Sequence, residues 1–520
     1  MSEAVEEGQS VSHRESETTT ELDEPRSLFR HPLAAVGGAL IVAGMLGFAI
    51  LAFVDLSSTS ENPYRGIVTF IGFPSVVMLG MVLFLLAIRI QVVKARRRGE
   101  HIRFNLRFEA SNPRYIRSLA LFIVLTVLLL GTVAWGGYKG YEVTDSPSFC
   151  GEACHTVMNP QWVTYQESPH ARVACAECHI GPGASFFVRA KIDGIRQVVA
   201  VLTNSYERPI PTPVTSLRPA QQTCEGCHWP DQFYGEKLIT KTYYRTDEAN
   251  SPWTISLLMK VGGGNPRTGE QEGIHWHMLS ENKIEYVPID EKRQEIAWVR
   301  TTNSKTGEVT VFKRPDVEID LDSPETEIRV LDCMDCHNRP SHDFLAPATA
   351  INLEMSKGTI SSDLPFIRWQ GLILLNAPYE TKPEADEAIR SGLLAYYASQ
   401  YPGKVDQSMV EQAADALVRI YDSNFFPEMK TDYRAREDNL SHFVNNGCFR
   451  CHFSDLETDD GAVVTSTCES CHTIAAQGPS DDLADIENSV AGLDFQHPVN
   501  IGEAWKEIKC TQCHTPAQGY

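Results

Sequence analysis

No cysteine of this chain stands alone. All fourteen fall into seven Cys-x(2 or 3)-Cys-His units, which leaves no thiol for a separate disulfide framework. Zinc knuckles would not require a histidine straight after every second cysteine. Basic charge is also in short supply. With 46 Lys and Arg against 67 Asp and Glu, the net charge is −21, which argues against nucleic acid as a partner. Nor does the amino terminus read as a cleavable signal peptide. Residues 1–31 are acidic and rich in Ser and Thr, and are expected to form a disordered cytoplasmic tail.

What is present is a repeated attachment chemistry. Cys150 pairs with Cys154, Cys175 with Cys178, Cys224 with Cys227, Cys333 with Cys336, Cys448 with Cys451, Cys468 with Cys471, and Cys510 with Cys513. The histidines that follow are His155, His179, His228, His337, His452, His472 and His514. Two thioethers would anchor a porphyrin and place the next residue, an imidazole, beneath its iron. At this chain's Cys and His frequencies a shuffled sequence would give roughly 0.01 regular pentads, against six here. The expected cofactors are therefore seven covalent c-type haems. Only the first motif, with Gly151-Glu152-Ala153 between its cysteines, has a three-residue gap.

The histidines supply a second count. Of sixteen, seven belong to motifs, and His13, His31 and His101 precede them. The remaining six, His170, His275, His277, His342, His442 and His497, match the number of distal ligands that the six regular sites require. The first site is left to another group, with Met158 the candidate. His275 and His277 flank Trp276, and on a strand both would face one side.

Three apolar runs precede the haem motifs, Pro32 to Val54, Ile67 to Ile88 and Leu119 to about Tyr138, each long enough to cross a core of about 30 Å. Pro74 is expected to kink the second. Arg and Lys crowd the link 89–117 between the second and third runs, whereas the first link holds only Arg65. The positive-inside rule therefore puts the amino terminus in the cytoplasm and everything after Tyr138 across the membrane. The compartment in which c-type haem is attached gives the same side. Residues 1–139 carry a net +2, leaving −23 for 140–520; this acidic part would suit a basic redox partner or simple solubility.

The fold class expected is mainly α. Three transmembrane helices (32–138) would anchor an irregular domain organised by its haems. A tetrahaem domain (139–345) would hold a small β-rich insertion (231–330), with strands at Lys283 to Ile289, Glu295 to Asn303 and Glu308 to Lys313 and a turn at Thr306-Gly307. A helical connector (346–430), with helices at Glu384 to Tyr401 and Gln407 to Tyr421, would lead to a C-terminal trihaem module (431–520).

The run Phe149-Cys-Gly-Glu-Ala-Cys-His-Thr-Val-Met-Asn-Pro160, followed by Ser168-Pro-His-Ala-Arg-Val-Ala-Cys-Ala-Glu-Cys-His-Ile180, resembles the start of the NapC/NirT/NrfH family of membrane-anchored quinol dehydrogenases. Motifs three and four extend the likeness to about residue 345, and the three further haems resemble a heptahaem inner-membrane branch. The resemblance implies a bacterial inner-membrane protein with a periplasmic haem domain. It would draw electrons from menaquinol in the membrane pool and pass them to periplasmic c-type cytochromes or reductases. In the family a methionine close after the first motif ligates the first haem. Here one extra residue lies between the cysteines and another before Met158, so His155 and Met158 stand as alternative ligands to that iron. The family also sets a lysine and an acidic residue beside this haem, after the second motif. On the amphipathic stretch Ser185 to Thr203, with Phe186, Phe187, Ile192, Ile195, Val199 and Leu202 on one side, these would be Lys191 and Asp193. Asp193 does not share the family spacing and has Arg189 and Arg196 as alternative partners. Two other functions compete: a terminal reductase acting on a small oxyanion, and the same wire run in reverse to reduce quinone.

Overall fold

The computed structural model describes residues 31–57, 68–98, 113–153, 155–181, 184–212, 219–264, 273–435, 437–485 and 492–517. The acidic tail, the basic link between 99 and 112, and Cys154 lie outside these residues, as do the side chains of His155 and Phe187. The chain divides into two units, Met1–Thr144 and Asp145–Tyr520.

In the first unit the apolar runs form α1 (Pro32–Ser57), α2 (Phe73–Arg97) and α3 (Pro113–Asp145), and three helices are long and apolar enough to span a bilayer. Where α1 crosses α2, a Cβ added to Gly37 would lie 2.6 Å from the Gly80 carbonyl oxygen and one on Gly80 2.7 Å from that of Gly37. The two backbones touch there, the close approach that small residues permit in lipid, where packing replaces the hydrophobic drive. Phe48, Phe70 and Trp135 join α1, the turn before α2 and α3 edge to face, with centroids 5.5–6.0 Å apart. Pro74 does not kink the middle of a helix. A π turn, Val68–Gly72, precedes α2, and Pro74 occupies its first turn, where a missing N–H costs nothing. The third helix outruns the expected end at Tyr138 and continues to Asp145. Its 33 residues span about 50 Å, more than the hydrocarbon core needs.

The second unit carries short helices at its first motifs: α4 (His155–Glu167), α5 (Cys175–His179), α6 (Ala184–Leu202) and α7 (Ala220–Cys224). The insertion follows as β1 (Lys237–Tyr244), β2 (Pro252–Met259), β3 (Asn282–Pro288), β4 (Ile296–Asn303), β5 (Val309–Lys313) and β6 (Arg329–Val330). Strands β3 to β5 match the three expected from alternation. The fourth motif forms α8 (Cys333–Cys336), opened by a capping box in which Asp332 accepts from the backbone and Asp335 returns a carboxylate to the Asp332 N–H.

Beyond it, α9 (Pro347–Ser356), α10 (Ile367–Asn376), α11 (Lys382–Gln400) and α12 (Gln407–Asn424) enclose the largest apolar core among the described residues, with Ile351, Ile389, Leu393 and Leu417 fully buried. Thr381 and Asp406 cap α11 and α12 by accepting from the N–H groups of Glu384 and Ser408. Ala385, Ile389, Leu393 and Tyr397 recur every fourth residue on the buried face of α11, the spacing of one helical face.

The last hundred residues add β7 (His472–Pro479), β8 (Ala484–Asp485) and α13 (Ala504–Glu507). Strand β7 pairs antiparallel with β2, so one sheet runs β1-β2-β7-β8 and the other β5-β4-β3-β6. The C-terminal motifs are thereby stitched into the insertion. Leu456 and Cys451 also pack on Ile284, Tyr286, Ile296 and Val299 of the second sheet.

Candidate functional site

Each of the six spare histidines faces a different motif histidine. The ring centroids of His342 and His179 are 6.3 Å apart, those of His170 and His228 6.2 Å, and those of His275 and His337 6.1 Å. For His277 and His452 the separation is 5.7 Å, for His442 and His472 6.1 Å, and for His497 and His514 5.9 Å. Two imidazoles bound to opposite sides of one metal ion would have centroids roughly 6.3 Å apart, from a bond of about 2.0 Å and a ring radius of about 1.15 Å on each side. All six separations lie within about 0.6 Å of that figure.

Hydrogen bonds set the tautomers. Through Nδ1–H, His170 donates to the Pro340 carbonyl (2.9 Å), His275 to Val261 (2.6 Å), His277 to Ile274 (2.7 Å), His342 to Gln161 (3.1 Å) and His497 to Val499 (2.8 Å). A carbonyl only accepts, so each bond keeps the proton on Nδ1 and leaves the Nε2 lone pair for a metal. Burial lowers the pKa of His277 and of His442 to about 4, and lowers those of His179, His337 and His472 as well. These rings are held neutral, the form that ligates. Nδ1 of His442 and of His472 is buried without a protein hydrogen-bond partner. A cavity of about 670 Å³ opens beside His277, lined by apolar residues such as Trp229, Met278, Ile284 and Leu331 and by polar ones such as Glu225, Asp231 and Lys283. The thirteen described cysteines, Cys513 of the seventh motif among them, form no disulfide. These residues fit haem, which supplies reversible one-electron chemistry at iron; the protein supplies the ligands, the tether and the spacing.

Successive motifs are spatial neighbours in chain order. The sulfurs of Cys150 and Cys175 are in hydrogen-bonding contact, as are those of Cys224 and Cys333. Cys178 lies within electrostatic reach of Cys227, Cys336 of Cys448 and Cys451, and Cys471 of Cys448. Cys510 is within reach both of Cys468 in the sixth motif and of Cys513 in its own.

The first motif is built differently. Its residues Phe149–Ala153 form a π turn, a widened turn that takes up one extra residue, which accounts for the three-residue gap. A Cβ on Gly151 would fall 2.3 Å from the Trp162 ring, so glycine lets the indole close over the motif. Met158 sits one turn beyond His155 on α4, half-buried.

Lys191 and Asp193 both lie on α6, but with different partners. Lys191 Nζ is 2.5 Å from Asp145 Oδ1, and the pair is close enough to Cys150 for both charges to act on its sulfur. Asp193 instead pairs loosely with Arg196 at 3.9 Å. The carboxylate beside the lysine is thus Asp145, the last residue of α3 and the first of the second unit, 46 positions away. No local motif marks it; only the packing of the second unit does. His275 and His277 are likewise not on a strand. They occupy a 3-10 turn, Ile274–Met278, whose shorter repeat points them at different motifs.

Paired cysteines, paired histidines and an apolar anchor together define a membrane-anchored multihaem cytochrome of the c type, a protein that carries electrons. The chain belongs to the NapC/NirT cytochrome c family, whose N-terminal region matches residues 114–210. It is 36% identical over 494 residues, 94% of this chain and 95% of the relative, to the cytochrome c-type protein ImcH of Geobacter sulfurreducens. It is 32% identical over 114 residues to the cytochrome c-type protein NrfH of Wolinella succinogenes, covering 21% of this chain and 63% of that one. Over 55 residues, 11% of this chain and 31% of the relative, it is 44% identical to the cytochrome c nitrite reductase subunit NrfH of Nitratidesulfovibrio vulgaris. No solved structure matches the chain.

Proposed function

We propose that this protein oxidises menaquinol at the outer face of the bacterial inner membrane and delivers the electrons, through seven haems, to periplasmic c-type cytochromes or reductases. The observation that carries this reading is the Lys191–Asp145 pair, set at the end of a membrane-spanning helix and beside Cys150. A quinol gives up two protons and two electrons. Asp145 would accept the two protons in turn, releasing each to water, and Lys191 would hold the oxygen that becomes anionic; a haem held at the first motif would supply a one-electron acceptor. The apolar face of α6, with Ile195 67% and Leu202 80% exposed, suits the lipid surface from which such a substrate arrives. The basic link after α2 favours a cytoplasmic location for that loop, and so a periplasmic one for the haems.

The seven motifs support a haem number of seven, with His155 and Met158 the two candidates at the first iron. A terminal reductase would need an iron with an open face; the six histidine pairings leave that possibility only at the first motif. The test is the rate of haem reduction by a menaquinol analogue in full-length Lys191→Met. A rate equal to that of the unmodified protein, with all haems attached, would exclude the proposed role of this site.

A further inference from the structure

Two histidines one residue apart on the Ile274–Met278 turn face motifs of different haem groups. His275 lies within 4° of parallel to His337 of the fourth motif, while His277 stands at 90° to His452 of the fifth. The turn is fixed from within and without: His277 donates to its own turn at Ile274, His275 to Val261 two residues beyond β2, and Asn282 Nδ2 donates to the Trp276 carbonyl.

The two motifs are also tied directly. Arg450, between the cysteines of the fifth motif and only 8% exposed, donates from Nη2 to the backbone carbonyl of Asp335, between the cysteines of the fourth (2.6 Å). Its Nη1 reaches the Arg293 carbonyl (3.1 Å) and its Nε that of Gly447 (2.9 Å). Asn439 Nδ2 donates to the same Asp335 carbonyl (3.0 Å), and the Asp335 carboxylate accepts from Tyr286 on β3 (2.5 Å). A buried guanidinium spending its donors on three carbonyls fixes geometry, because a misplaced charge there would go unpaired.

We infer that the Ile274–Met278 turn is the coupling point between the first four haems and the last three. It supplies the sixth ligand to one haem on each side, with Arg450 locking the two attachment loops in register. The inserted β-rich segment is thus what joins the two groups, and a single electron crosses here with no bond made or broken and no proton required. The inference rests on haem being attached at the fourth and fifth motifs, and the experiment measures that attachment separately.

The test uses full-length His275→Met and His277→Met in detergent, read by intact mass, by EPR of the oxidised protein and by redox titration of each haem. Exchange of an imidazole for a thioether raises a haem's potential. Both variants are expected to keep the haem mass of the unmodified protein. Each should lose one low-spin bis-histidine signal and raise the potential of one haem, a different haem in each. Reduction of the last three haems by a menaquinol analogue should slow by on the order of tenfold, since one step becomes uphill, while dithionite still reduces them all. Unaltered spectra, or the same haem altered by both variants, would overturn the assignment. Arg450→Gln gives a second reading if a ligand variant loses haem: it should lower the potentials of two haems only, the ones the methionine variants identify. A shift in none, or in a third, would count against the coupling point.

Discussion

His275 and His337 lie 6.1 Å apart at their ring centroids and within 4° of parallel, although 62 residues separate them in the chain. His442 and His472 show nearly the same relation, at 6.1 Å and 14°. By contrast, His277 meets His452 at 90° and His170 meets His228 at 75°. Backbone carbonyls hold the Nδ1–H groups of His170, His275 and His277, and the angles have an electronic meaning.

Parallel axial imidazoles lift the near-degeneracy of two iron d orbitals, whereas perpendicular ones preserve it. The EPR spectrum of the oxidised protein is therefore expected to show rhombic low-spin signals from the fourth and sixth motifs. Strongly anisotropic signals should come from the third and fifth. A spectrum made only of rhombic species would contradict the ring geometry.

At the quinol side the expected ranking of carboxylates is testable. Asp145→Asn should slow menaquinol-driven haem reduction by on the order of 10²-fold, the usual contribution of a positioned acid–base group. Asp193→Asn, whose side chain faces Arg196 at 3.9 Å, should stay within about twofold, as expected for an exposed and weak ion pair. Equal losses in both variants would show that the Lys191 contact with Asp145 is not the relevant one.

Haem number can be counted directly. Under denaturing conditions the unmodified chain should retain the mass of seven haems, and a Cys150→Ser, Cys154→Ser variant that of six. A mass of six in the unmodified protein would mean that the π turn at the first motif does not present its cysteines for attachment. The regular seventh motif serves as the control: Cys510→Ser, Cys513→Ser should also remove the mass of one haem.

The helical layer should carry stability of its own. Leu417 is fully buried among Ile351, Gly371 and the other residues of the α9–α12 core, so Leu417→Ala should cost about 3 kcal/mol. Chemical denaturation followed by far-UV circular dichroism measures this. The EPR signals of the folded variant are expected to be unchanged, because none of the paired histidines lies in this layer.

Much of the chain was legible from spacing alone. Covalent attachment is a local requirement, so Cys-x-x-Cys-His motifs announce themselves, and apolar length marks a membrane span wherever it occurs. Alternation likewise located β3 to β5, although only β5 alternates in exposure along its length; β3 and β4 each bury four consecutive residues. Within the helical connector expected over 346–430, the residue pattern gives bounds for α11 and α12 but not for α9 and α10. The latter two are short, and α9 shows its outer face at only three positions, Thr349, Leu353 and Ser356, too few repeats to stand out in the sequence.

The number of spare histidines, six, could be counted in the chain; their partners could not. Which imidazole faces which motif depends on contacts between residues as far apart as His277 and His452, 175 positions, and no local rule carries that information. The same holds for Asp145, brought to Lys191 by the packing of the second unit, and for Arg450, whose role exists only because Asp335 lies beside it. The covalent chemistry and the anchor are encoded in short stretches, since a few consecutive residues satisfy each. The pairing of the histidines, the neighbourhood of the motifs and the contact of Asp145 with Lys191 arise only on folding, since each needs two distant segments held at one point.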